Sequence, residues 1–165
     1  DLAETDMSGA NLTDAVMAGS NIAKAKFINA NLANVNMGPT DLLDAAGKPT
    51  GREWPTNLTE TDFTGANLTD ANLEAAIFRN TDLSLAVMDG TRLVDADFSG
   101  ANWWRAQGLT QSQLDELSAK YAPDEDASAE RRDDFYARSL RLSPHSISLP
   151  CSLLRFACQC CELLG

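Results

Sequence analysis

The chain has 165 residues, of which 44% are hydrophobic and 22% are charged, and its formal net charge is −11 at pH 7. This length allows one domain with a hydrophobic core, or a smaller domain with a tail. The negative charge argues against direct binding to nucleic acid, because contacts to phosphate need a basic surface. No apolar run reaches the length of a membrane span, so none is expected.

Large apolar residues stand at every fifth position over most of the chain. These centres form two series separated by a break: Leu2, Met7, Leu12, Met17, Ile22, Phe27, Leu32, Met37, Leu42, and then Leu58, Phe63, Leu68, Leu73, Phe78, Leu83, Met88, Leu93, Phe98, Trp103. Two places before each centre is a small residue, and the place between is usually Asp or Asn. A period of five fits neither an α-helix nor a β-strand.

The period suits a chain that turns a corner after every five residues, so that four pentads complete one square coil. Each pentad then points one large and one small side chain inward, because a narrow interior accepts the large one only beside a small neighbour. Glycines such as Gly9, Gly65 and Gly100 fall at corners. Residues four pentads apart stack in columns, which are expected to be Leu58–Phe78–Phe98, Phe63–Leu83–Trp103 and Leu2–Ile22–Leu42.

The segments at residues 66–70 (ANLTD) and 71–75 (ANLEA) resemble the A(D/N)LXX unit of the pentapeptide-repeat family. The resemblance extends to about residue 105 outside the break, with departures from the usual Asp or Asn at Val16, Lys26, Ile77, Val87 and Arg92. It implies an all-β solenoid, a right-handed quadrilateral β-helix of about five coils, over residues 1–108.

The repeat lapses over residues 45–55, where two Gly and two Pro predict a loop excursion. Loops that project from a solenoid are frequent sites of partner binding. We therefore take Arg52, Glu53 and Trp54 as candidate partner-binding residues, since Arg and Trp are enriched at binding hot spots. Alternatively, Trp54 folds back and covers the coil wall.

A helix is predicted over residues 111–120, where Thr110 and Gln113 have the spacing of a capping box. It would form the core of a capping segment, residues 109–122, that covers the last coil and its unpaired strand edge. A homodimer through this C-terminal end is a further expectation.

Residues 123–165 are expected to form a linker and a poorly ordered tail, with the charge-dense stretch 123–138 as linker or exposed helix. The tail contains His145 and all four cysteines: Cys151, Cys158, Cys160 and Cys161. Paired CxxC units are absent, which disfavours a metal site, and a lipidated tail is equally disfavoured.

The chain begins at Asp1, inside the repeat and without an initiator Met, so we expect a truncated N-terminus. The compartment is therefore unknown. The cytoplasm is favoured, and an exported or thylakoid-lumen location stays open.

The repeat contains no sign of catalysis. The single histidine lies in the tail, so no nucleophile–base pair is built into the solenoid. The carboxylates occupy outward positions, and inward side chains fill the interior, which leaves no room for a small-molecule substrate. We expect a non-enzymatic protein without a cofactor or metal.

Two functions fit this sequence. The first is a rigid protein-interaction scaffold with an unknown partner. The second is implied by the resemblance, because some family members are acidic rods that mimic DNA, bind DNA gyrase and confer quinolone resistance. Residues 1–109 carry 15 acidic and 7 basic residues, and Asp62 and Asp82 fall in one outward column. However, the repeat itself favours Asp, which explains the acidity without mimicry.

Overall fold

The computed structural model describes residues 1–142 and divides the chain into two units, Asp1–Ala127 and a second that begins at Ser128. The predictions for the cysteines, for His145 and for the tail beyond residue 142 lie outside the described residues.

The first unit is built from a coil whose successive turns are joined by backbone hydrogen bonds. The N–H of Leu58 donates to the carbonyl of Ile77 (2.8 Å), and the N–H of Ile77 donates in turn to the carbonyl of Thr56 (2.9 Å). Parallel bridges of this kind recur every fifth residue, as at Asn57↔Ile77 and Asp62↔Asp82. Because bridged partners are 20 residues apart, each turn has four sides of five residues.

The corners lie two residues after the centres and, except after Met37 and Trp103, have positive φ. Gly9, Gly65 and Gly100 have φ of +69°, +67° and +72°, which confirms that they turn corners. Glycine takes this conformation without steric cost. Other residue types also occupy corners, and Leu85 at φ +62° is the largest apolar residue among them.

The large residue of each pentad faces the interior, as predicted. Twelve centres are fully buried at 0% exposure: Ile22, Phe27, Leu32, Met37, Leu58, Phe63, Leu68, Leu73, Phe78, Leu83, Met88 and Phe98. Small neighbours such as Ala66 and Ala71 are equally buried. Leu2, Met7 and Leu12 are half-buried because no further turn among the described residues covers them.

One predicted column is wrong. Leu42 is not a centre, because the turn that contains Ile22 pairs with the turn that contains Leu58, through the Ile22 N–H and the Asn57 carbonyl (2.9 Å). Bridged partners here are 36 residues apart instead of 20, so 16 extra residues are inserted.

The inserted residues form an antiparallel hairpin rather than a loop over 45–55. Strand β1 is Thr40–Leu43 and strand β2 is Pro49–Trp54. The excursion therefore begins earlier than predicted. Leu42 kept the five-residue spacing by coincidence, and its carbonyl accepts the Thr50 hydroxyl within the hairpin (2.7 Å).

Side chains join the two turns that flank the insertion. Amide groups stack across it in three ladders: Asn57 to Asn21 (3.0 Å), Asn67 to Asn31 (3.0 Å) and Asn72 to Asn36 (3.1 Å). The Phe27 and Phe63 rings also stack across it, with centroids 5.2 Å apart. These contacts hold the solenoid together where the chain leaves it.

The repeat ends in a 3-10 turn, Trp103–Arg105, which is followed by helix α1, Gln111–Tyr121. Thr110 and Gln113 form the predicted capping box. Helix α1 contacts the last turns of the coil, since the Tyr121 hydroxyl donates to the Ala96 carbonyl (3.0 Å).

The second unit contains helix α2, Ala129–Leu142. The helix overlaps the charge-dense stretch for which the sequence left a linker or an exposed helix open. An ion pair between Arg138 and Asp134 (3.0 Å) spans one helical turn of α2.

Candidate partner-binding hairpin

The tip of the hairpin is a tight turn that is encoded locally. The Asp44 carboxylate accepts the N–H groups of Ala46 (2.8 Å) and Lys48 (2.9 Å), and the Gly47 N–H donates to the Asp44 carbonyl (3.0 Å). Gly47 has φ +77°, the left-handed conformation in which glycine closes a bulged hairpin turn. Asp44 followed by Gly47 was therefore a hairpin signal in the sequence.

The base of the hairpin is fixed to the solenoid by Thr56, which is fully buried. Its hydroxyl donates to the Gly38 carbonyl (3.0 Å) and accepts the Gly19 N–H (2.9 Å). Thr40 begins β1 directly over Gly19, so closely that a Cβ on Gly19 would clash with the Thr40 side chain. The hairpin therefore starts from a fixed point at a corner of the coil.

The hairpin has two distinct faces, because side chains alternate along each strand. Thr40 pairs with Trp54, and the Thr40 side chain lies against the Gly19 corner. Asp41 pairs with Glu53 on the opposite face. We call Thr40 and Trp54 the inner hairpin face, and Asp41, Leu43 and Glu53 the outer hairpin face.

The three predicted partner-binding residues lie together in β2, and all three are exposed. Trp54 is 54% exposed, so more than half of its surface is open to solvent. Glu53 lies on the outer face and Trp54 on the inner face. The sequence did not identify Asp41 and Leu43, because their hairpin partners depend on the register set by the turn.

The outer hairpin face places two carboxylates side by side. Asp41 and Glu53 are directly paired across the strands, and neither forms an ion pair with any group among residues 1–142. Directly opposed like charges destabilise a β-sheet pair. Leu43, two residues along the same strand, is 58% exposed.

Ion pairs and hydrogen bonds hold some of the charged side chains of the solenoid walls. Arg79 pairs with Asp97 (2.7 Å) and Arg92 with Glu74 (2.8 Å), each between neighbouring turns. Partial burial raises the pKa of Asp82, but hydrogen bonds from the Asn102 amide (2.9 Å) and from Ser84 outweigh it and hold the pKa below its ordinary value. Asp82 is therefore part of the wall's hydrogen-bond network.

In the part of the chain that the structure describes, there is neither a cluster of side chains that could hold a metal ion nor a helix that could cross a membrane. Within residues 1–142, no group of three or more His, Cys, Asp or Glu side chains could hold a metal ion. Neither α1 nor α2 has the length and apolar character that crossing a membrane requires.

The substitution Gly19→Ala tests how tightly the hairpin base is fixed, and Gly9→Ala is its matched control. Both corners have similar φ, +65° and +69°, but nothing lies within 4 Å of a Cβ on Gly9, whereas Thr40 Cβ would be 3.1 Å from one on Gly19. Gly9→Ala should lower the free energy of unfolding by about 1–2 kcal/mol through backbone strain alone. Gly19→Ala should cost about 1 kcal/mol more, from overpacking against Thr40.

Urea denaturation of both variants measures this difference. The double variant Gly19→Ala/Thr40→Ser, which lacks the obstructing methyl group, should recover part of the additional loss. Equal losses for the two single variants would mean that the hairpin base is loosely held.

Comparison with known proteins agrees with the fold. Residues 1–38 and 66–102 match the family model of pentapeptide repeats, in eight copies. The crystal structure of HetL, a pentapeptide-repeat protein involved in heterocyst differentiation regulation in the cyanobacterium Nostoc sp. strain PCC 7120, is 31% identical with a TM-score of 0.53. The similarity covers 61% of this chain and 39% of HetL, so the chain spans about two fifths of that relative.

Two further solved structures are similar at lower scores. A pentapeptide-repeat protein of the Arabidopsis thaliana thylakoid lumen is 21% identical over 82% of this chain and 90% of its own, with a TM-score of 0.35. QnrB1, a plasmid-mediated fluoroquinolone resistance protein, is 20% identical over 61% of this chain and 46% of its own, with a TM-score of 0.39. No curated protein sequence matches the chain. The five-residue repeat, the turns joined through it and the family match together show that the chain contains pentapeptide repeats.

Proposed function

We propose that this protein is a non-catalytic scaffold that binds a protein partner through the hairpin of β1 and β2. The observation that carries the proposal is that every residue of β2, and all of β1 except the half-buried Leu42, is exposed. A two-stranded hairpin with no packed face is marginally stable in water. An exposed hairpin on a fixed base therefore gains most by contact with another molecule.

The chemistry of the solenoid supports a scaffold over an enzyme. Pentapeptide-repeat proteins are generally structural or interaction proteins. In this chain, buried apolar side chains fill the turns from Ile22 onward, and every buried side-chain polar atom among the described residues has a hydrogen-bond partner. A catalytic group usually needs a cleft and an available polar atom.

Helix α1 is proposed to close the C-terminal end of the solenoid. Its Leu117 is 5% exposed, the Tyr121 ring lies 6.2 Å from that of Phe98, and the Gln113 side-chain amide donates to the Thr91 carbonyl (3.0 Å). Such a lid covers the apolar end of the core and blocks edge-to-edge pairing of strands. A homodimer at this end would then form through α1.

The proposal predicts that the hairpin can be removed without unfolding the protein. Replacing residues 39–55 by a single glycine joins Gly38 to Thr56 through one corner residue and restores the ordinary spacing of the turns. The free energy of unfolding should stay within about 1 kcal/mol of the parent, because the exposed hairpin buries little surface. Urea denaturation followed by circular dichroism measures it. A collapse of cooperative unfolding would show that the hairpin is a structural element instead.

Photo-crosslinking in the native host tests the binding role. A benzophenone amino acid placed at Trp54 should yield crosslinked partner proteins, whereas the same residue at Ala33, on the coil wall, should yield few. Trp54→Ala should weaken binding of the captured partner by about 2 kcal/mol, as for a hot-spot residue. Crosslinking that is equal from both positions would contradict the hairpin as the binding site.

The DNA-mimic alternative receives less support from the charge arrangement. Asp62 and Asp82 are neighbours in one column, but Lys26 lies beyond Asp62 and Asn102 lies beyond Asp82. The acidic run is therefore short. A gyrase supercoiling assay with the purified protein separates the two functions, because only a DNA mimic should inhibit supercoiling or protect the enzyme from a quinolone.

A further inference from the structure

The outer hairpin face, Asp41, Leu43 and Glu53, combines uncompensated negative charge with an exposed apolar side chain. We infer that it binds an extended protein segment in which a single residue separates a basic residue from an apolar residue. This inference rests on the proposed function, and it adds the chemistry of the partner and a second contact, on the outer hairpin face, to the one proposed for Trp54 on the inner hairpin face.

The basic residue follows from the paired carboxylates. Asp41 and Glu53 face each other across the strands, and no cation among residues 1–142 pairs with either of them. A guanidinium or ammonium group between the two would replace repulsion by two charge-assisted hydrogen bonds, and a guanidinium fits carboxylates in bidentate geometry. The net charge of −11 also favours the approach of a cationic partner.

Leu43 is the reason to expect an apolar residue in the partner segment, at a fixed spacing from the basic residue. Leu43 stands two residues after Asp41 on the same face of β1 and is 58% exposed. In an extended chain, the side chains of residues i and i+2 project to the same side, and their spacing equals that of the side chains on one face of a β-strand. A partner segment lying along β1 therefore places its basic and apolar side chains opposite Asp41 and Leu43 when one residue separates them.

A second copy of this chain is a poorer occupant. In a symmetric dimer through the hairpin, the outer hairpin face would meet an equally acidic face, and the like charges would repel. We therefore commit to a different, basic protein segment.

A phage-displayed library of random twelve-residue peptides, selected on the full chain, tests the inference. The enriched peptides should carry Lys or Arg two positions from Leu, Ile, Val, Phe or Met. Their synthetic forms should bind the full chain in fluorescence anisotropy and bind the variant with residues 39–55 replaced by glycine at least about tenfold more weakly.

The charge requirement is tested by Asp41→Asn/Glu53→Gln, which should weaken peptide binding about tenfold. The matched control is Asp14→Asn/Asp70→Asn, which removes the same total charge from coil corners and should change affinity less than about twofold. Leu43→Ser should weaken binding without changing its dependence on salt concentration.

The outcomes distinguish this inference from the proposed function. The inference is overturned if the peptides require the hairpin for binding but lack a basic residue, or if Asp41→Asn/Glu53→Gln leaves their affinity unchanged. Either result leaves the hairpin as the binding site. Peptides that bind equally well without the hairpin contradict both. Failure to enrich any peptide counts against the inference, and so does self-association of the chain that requires Asp41 and Glu53. In either case the crosslinking experiment remains the test of the hairpin as the binding site.

Discussion

Phe78→Ala is expected to lower the free energy of unfolding by about 3–5 kcal/mol, the usual loss for a fully buried phenylalanine. Phe78 is 0% exposed. Its ring stacks on that of Phe98, with centroids 4.6 Å apart and planes 3° from parallel. Each five-residue side of a turn directs only one large side chain into the interior. The neighbouring turns therefore cannot fill the cavity without breaking the backbone hydrogen bonds that join them.

The control for Phe78→Ala is Leu85→Ala in the same turn. Leu85 is 58% exposed at a corner, and alanine at this positive φ carries a similar backbone strain to leucine. Its removal should change the free energy of unfolding by less than about 0.5 kcal/mol. Urea denaturation of both variants makes the comparison. A loss for Phe78→Ala as small as that for Leu85→Ala would contradict the assignment of pentad centres to the core.

The repetition of the pattern made the core predictable from the sequence. Each pentad meets the same steric requirement, so the burial of Phe78 or Leu68 follows from its place in the repeat, whatever its distant neighbours. The Asp or Asn before most centres has an equally local role, since the Asn67 side chain accepts the Thr69 N–H (3.1 Å) and steadies the following turn. The Asp62 carboxylate accepts the Thr64 N–H in the same way (2.9 Å), so part of the acidity of the walls has a structural cause.

The register across the insertion could not be predicted in the same way. Leu42 satisfied the five-residue spacing, and only its place in β1 shows that it left the coil. Side chains on the far side of the insertion fix the true register, because Asn21 meets Asn57 rather than a residue of the hairpin. Such contacts depend on where the chain returns, which a periodic pattern does not encode.

The position of the candidate site and the presence of a hairpin were predictable from the sequence, but the pairing of residues between its strands was not. Gly and Pro residues placed an excursion near Arg52 and Trp54, and composition made those two the obvious candidates. The turn chemistry of Asp44 and Gly47 was sufficient to predict a hairpin. The pairing of Asp41 with Glu53 also required the strand register, which the bulge in β2 shifts, and so the acidic face emerged only from the structure.

Ala71→Leu should also be severely destabilising, by about 1–3 kcal/mol or more, through overpacking. Ala71 is 0% exposed and lies inside the coil between Leu68 and Leu73, where a second large side chain in the same pentad has no space. Ala33→Leu is the matched control, because the same substitution at a half-buried wall position adds atoms that can extend into solvent. Its effect should stay below about 0.5 kcal/mol. Thermal unfolding followed by circular dichroism measures both, and equal shifts in Tm would mean that the small residue of the pentad is not set by the width of the interior.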